Sequence, residues 1–139
     1  IYAVMGIRLK AAALGATIDV VKTAIQIQTA SESGEWTLRL NPTINAAFVY
    51  ADVTNSAIQA IAGTVSNTVT GGTILQGDFS ASDSASAGGK GGASAQVDNA
   101  IRLGSAIDGT PDELVLCWMP NATTASHAIE GSITIRELS

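Results

Sequence analysis

The side chains able to do chemistry are few and far apart. His127 is the one histidine and Cys117 the one cysteine. A nucleophile needs a base within hydrogen-bond reach. Ser126 adjoins His127, but neighbours on a strand point to opposite faces. That pair therefore cannot act as nucleophile and base, and His127 reads as a surface or interface histidine. A single thiol makes neither an intrachain disulfide nor, alone, a zinc site. Cys117, inside the apolar run Leu114–Met119, reads as a small buried residue. Asp108, Asp112 and Glu113 place three carboxylates in six residues, the density of a calcium loop. Gly109 and Pro111 make that stretch a turn instead, and the EF-hand order of acids is missing. Asp78 and Asp83 lie on either side of Phe79, where a glycosidase would keep its acid and base. No aromatic platform for a sugar accompanies them. Gly88, Gly89, Gly91 and Gly92 do not precede a helix, so they form no phosphate loop. Asn121-Ala122-Thr123 is a formal glycosylation sequon, meaningful only in a secreted protein. No catalytic, cofactor-binding or metal-ligating residue is expected.

The elements that would position these groups are strands. In Glu35–Asn41, Trp36, Leu38 and Leu40 alternate with Glu35, Thr37, Arg39 and Asn41, a period of two. Pro42 ends the run because it has no N–H to donate. Across Thr17–Thr29 the apolar residues switch parity. Ile18 and Val20 are even, while Val21, Ile25 and Ile27 are odd, which predicts a bulge or a bend at Val20–Val21. Phe48–Val53 is apolar on both parities apart from Asp52, predicting a strand buried on both faces. Thr64–Thr70 and Thr73–Phe79 flank Gly71–Gly72, which can supply the positive φ of a two-residue hairpin. Leu114–Met119 predicts a central strand covered on both sides. Ile129–Glu137 alternates again. Ser56–Ala62 departs from this pattern: Ile58, Ile61 and Ala62 have helical spacing, and alanine favours helix, so one helical turn is expected there. Short strands separated by turn signals at roughly 8–12 residues predict an all-β, single-domain antiparallel β-sandwich or jelly-roll-like fold over 1–139.

Ser80–Gln96 (SASDSASAGGKGGASAQ) is a Gly/Ser/Ala-rich loop with no apolar anchor. Alone it should behave as a flexible linker. Its ordering would call for a neighbouring chain, which makes it the sequence's hint of assembly.

Composition narrows the function. The 139 residues are 46% hydrophobic but only 4% aromatic and 14% charged, against roughly 25% charged in an average soluble protein. Such a chain shows water a Ser/Thr/Gly/Asn surface and hides much of the rest against partners. A net charge of −5, with basic residues scattered singly from Arg8 to Arg136, argues against nucleic acid. No apolar run approaches the roughly 20 residues of a membrane helix. The stretch after Lys10 is too short for a signal peptide and is broken by Thr17 and Asp19. The absence of disulfides fits folding in a reducing cytosol. Beginning at Ile1, the chain reads either as processed or as one segment of a longer protein.

Five segments occur in a suggestive order: LNPTI (Leu40–Ile44), DVTNSAIQ (Asp52–Gln59), VTGGTILQGD (Val69–Asp78), IRLGSAIDGTPDELVL (Ile101–Leu116) and GSITIREL (Gly131–Leu138). In order and spacing they are similar to β-rich structural proteins of tailed-bacteriophage virions, of the capsid decoration, cement or head-fibre type. The resemblance implies a β-sandwich, a homotrimer and no enzymatic activity. It further implies a place on the capsid surface of a virion assembled in the host cytoplasm, with the major capsid protein or other virion proteins as partners. The alternative it leaves open is a receptor-binding or fibre domain contacting the host surface through Ser80–Gln96 and Pro120–His127.

Overall fold

A computed structural model describes residues 1–29, 31–81, 91–121 and 127–138. Its strands are β1 (Tyr2–Leu9), β2 (Thr17–Ile27), β3 (Ser33–Leu40), β4 (Thr43–Ile44), β5 (Ala51–Asp52), β6 (Ile58–Ala62), β7 (Val69–Thr70), β8 (Thr73–Ala81), β9 (Gly91–Arg102), β10 (Leu114–Pro120) and β11 (Ile129–Leu138). A single 3-10 turn, Ala11–Ala13, is the helical element among the described residues. All strand pairs are antiparallel. Six strands form one sheet in the order β5-β6-β1-β10-β3-β8, three form a second in the order β11-β2-β9, and β4 pairs β7.

The two larger sheets face each other. Ile7, Leu9, Trp36, Leu38, Leu114, Leu116 and Trp118 come from the first, and Ile18, Val20, Ile25 and Ile27 from the second. Together they make one buried apolar layer, the joint that defines a β-sandwich. A smaller cluster lies on the outer face of the six-stranded sheet. There Ala3, Val115, Cys117 and Val69 are buried, with Ile1, Ile44 and Phe48 packed against them. This is why Leu114, Val115, Leu116, Cys117 and Trp118 are all buried. β10 lies between β1 and β3, with apolar cover on both faces, as its unbroken apolar run predicts.

The parity switch in β2 is a bulge. Thr134 pairs Lys22 while the next residue, Ile135, pairs Val20, so Val21 is the extra residue. The ladder to β9 breaks at the same point. Ile18 and Val20 before the bulge, and Thr23, Ile25 and Ile27 after it, consequently all point into the core. β3 and β11 alternate as predicted at Trp36, Leu38 and Ile129–Ile135, except that Thr37 is also buried, under the outer cluster.

Four expectations are corrected. Ser56–Ala62 makes no helical turn; Ile58–Ala62 is a strand, because each residue from Leu9 back to Met5 pairs with one of them. Backbone pairing outweighs the helix preference of alanine, which is a few tenths of a kcal/mol per residue. Phe48–Val53 is not a strand buried on both faces. Only Ala51–Asp52 is extended and paired, with both residues exposed. Tyr50 is buried, Phe48 half-buried and Val49 exposed. Gly71 and Gly72 do have positive φ, 66° and 80°, but their flanking strands do not form a hairpin. β7 pairs β4 and β8 pairs β3, so the turn passes the chain between sheets. Finally, Ser80–Gln96 is not wholly a loop. Ser80–Ala81 ends β8, and Gly91–Gln96 pairs with Ile27–Lys22 of β2, which orders it without a neighbouring chain. Residues 82–90 lie outside the described residues.

Candidate functional site

The side chains singled out in the sequence are not brought together. Asp78 is exposed on β8 and accepts a hydrogen bond from the backbone N–H of Phe79 (2.8 Å). Asp83 and Ser126 lie outside the described residues. Asp108 accepts from the backbone N–H of Thr110 (2.9 Å), which holds its carboxyl below the ordinary range. With Gly109 at φ 86°, the segment is a closed turn. Among the described residues, no group of three or more His, Cys, Asp or Glu side chains could hold a metal ion. Cys117 is buried as expected, and burial pushes its thiol up to about 11, away from the reactive thiolate. Asn121 is exposed, with its amide donating to Ser33 Oγ (2.9 Å).

His127 is a correction. Its side chain is only 4% exposed, so it is not a surface histidine. Trp118 Nε1 donates to its Nδ1 at 3.3 Å, and its Nε2 lies 3.2 Å from Glu32 Oε2. Glu32 precedes β3 and Trp118 sits on β10. The histidine thus ties the β10–β11 connection to two other parts of the sandwich end.

Two further polar clusters escape sequence reading, because the partners are 42 to 117 residues apart. On the outer face of the three-stranded sheet, Asp19 stands between Arg136 (2.9 Å) and Arg102 (3.3 Å), one from each neighbouring strand. The Arg136 hydrogen bond, helped by Arg102, holds its carboxyl below the usual range. On the six-stranded sheet, Arg8 lies 4.4 Å over the Tyr50 ring and donates to Gln59 (2.8 Å), with Glu113 at 3.7 Å. Burial raises the Tyr50 hydroxyl, and burial raises Glu113 despite Arg8. Tyr50 and Phe48 press on Gly6, whose lack of a Cβ lets the rings close down. Neither cluster places a nucleophile beside a base.

The outer face of β10, β3 and β8 is different in kind. Met119, Glu35 and Phe79 form one cross-strand row, and Val115, Arg39 and Ile74 another. Phe79 is 68% exposed, Ile74 55% and Met119 40%. β8 is also the sheet edge, and TILQGDFSA contains neither the lysine nor the proline that commonly guards an edge strand. Comparison with models of protein families, with curated proteins and with solved structures finds no match to this chain.

Proposed function

We propose that this chain is a non-enzymatic structural protein of a tailed-bacteriophage particle, a decoration or cement protein bound to the capsid surface. The observation that supports it is the exposure of Phe79 and Ile74 on the edge strand β8 and of Met119 on β10, on one sheet face of a chain short of charged side chains. Large apolar side chains exposed on one sheet face suit a protein that works while buried against neighbours. The ordered segments from Leu40 to Leu138 point to the kind of neighbour. In this reading three copies close a ring, which leaves no free heterologous surface, and the ring binds where capsid subunits meet. Binding to the assembled shell alone stabilises that shell by mass action.

The test is binding. Purified chain is mixed with particles that lack it and the particles are pelleted. Saturable co-sedimentation that Phe79→Glu abolishes is expected. Chain that stays in the supernatant at every concentration would refute the reading.

A further inference from the structure

We propose that His127 is a proton-operated latch between the β10–β11 connection and the core tryptophan Trp118. The inference stands independently of the proposed function. An indole N–H can only donate. With Trp118 Nε1 at 3.3 Å, His127 Nδ1 must therefore present a lone pair. In the neutral ring the proton then sits on Nε2, the nitrogen that faces Glu32 Oε2 at 3.2 Å. That contact is at ion-pair distance but is not aligned as a hydrogen bond, so the buried Nε2 is incompletely satisfied.

Protonation puts the ring's second N–H hydrogen on Nδ1, directly opposite the indole N–H. Two donors then face each other where one bond stood, and the Trp118 bond is lost. The same proton turns the Glu32 contact into a charged pair, which favours turning the ring toward the carboxylate. Among the described residues Glu32, from the β2–β3 turn, is the charged group that pairs with the ring. Trp118, from β10, carries no titratable group. Residues 122–126, Ala-Thr-Thr-Ala-Ser, contain no titratable side chain. The backbone beside the ring is pinned: Gln28 N–H donates to Ala128 O (2.7 Å) and Ala128 N–H to Thr29 Oγ1 (2.8 Å). On the β11 side the response is thereby held to the imidazole and its hold on Trp118.

The experiment follows the two indole N–H resonances of the 15N-labelled chain, together with the His127 ring, from about pH 8 to about pH 5, where imidazole charge changes. Trp36 Nε1, buried and without a hydrogen-bond partner among the described residues, is the internal control. The expected result is a Trp118 shift that tracks His127 protonation while Trp36 stays still. In His127→Gln, whose amide oxygen can keep accepting from Trp118, that shift should be lost. A His127 ring that titrates while the Trp118 resonance stays fixed would overturn the proposal, and so would a Trp118 resonance that does not move across the range. The unmodified chain alone decides it, whether or not the variant folds.

Discussion

Asn67 should be the most costly polar side chain to lose. It is 3% exposed, in the turn between β6 and β7. Its Oδ1 accepts from Thr64 N (2.9 Å) and Thr64 Oγ1 (3.0 Å). Its Nδ2 donates to Ala47 O (3.0 Å) and, less well, to Asn45 O (3.4 Å). Its own carbonyl accepts from Ala3 N (2.8 Å). One amide therefore stitches the 63–68 turn to the 45–47 segment that helps cover the outer cluster, next to β1. Each well-formed bond is worth about 1 kcal/mol net, and a buried group left unpaired costs about 1–3 kcal/mol. Three good bonds lost give about 3 kcal/mol for Asn67→Ala, since Ala47 and Thr64 are exposed and water can reach their freed backbone groups. That is a large part of a typical stability of about 5–15 kcal/mol. Asn67→Asp keeps the acceptor but turns a carboxylate oxygen toward the Ala47 carbonyl. It should be worse than alanine near neutral pH and should recover in acid, when the protonated carboxyl can donate. Urea unfolding followed by the fluorescence of buried Trp36 and Trp118, at fixed protein concentration, measures both variants. A loss under about 0.5 kcal/mol for Asn67→Ala, below the net worth of even one bond, would refute the reasoning.

Deleting Val21 should be tolerated, because it restores uninterrupted alternation through Ile18, Val20, Thr23, Ile25 and Ile27. Deleting Ala24 brings Ile18, Val20, Ile25 and Ile27 into one parity only by turning Lys22 into the core in place of Thr23, so its urea midpoint should be the lower of the two. A Cβ on Gly63 would run into the Ala3 carbonyl, whereas one on Gly15 meets nothing within 4 Å. Gly63→Ala should therefore cost about 3 kcal/mol or more and Gly15→Ala little, measured by thermal melts. Asp19, with its folded carboxyl held low by Arg136 and Arg102, binds protons less readily folded than unfolded. Its contribution is present above the unfolded value and lost as pH falls through the folded one. Asp19→Asn should flatten the fall in urea midpoint between about pH 7 and about pH 3, and an unchanged slope would contradict the pairing. By light scattering, the native mass should be three times 14.1 kDa, and Phe79→Glu should lower it toward a single chain.

Much of the sandwich is legible in the sequence because burial imposes its period on side chains. The alternation of Trp36 and Leu38, the unbroken run at Leu114–Trp118 and the parity switch at Val21 each leave a local trace. What is not legible depends on partners distant in the chain. Ile58–Ala62 is strand only because β1 lies beside it, and Gly91–Gln96 only because β2 does. Gly71–Gly72 specifies a turn but not which strands flank it as partners. The polar clusters follow the same logic: nothing local to Asp19 announces Arg102 and Arg136, and nothing local to His127 announces Trp118 and Glu32. The same distance hides the exposed row Met119, Glu35 and Phe79, whose residues become neighbours only once three strands are in register.

The most direct measurement is on particles made without this chain: the temperature at which they release DNA, read before and after the purified chain is added back. The account predicts release at lower temperature without the chain and recovery on its return, with adsorption to host cells unchanged. Particles of unaltered heat stability that fail to adsorb would contradict it, and would assign the chain to contact with the host.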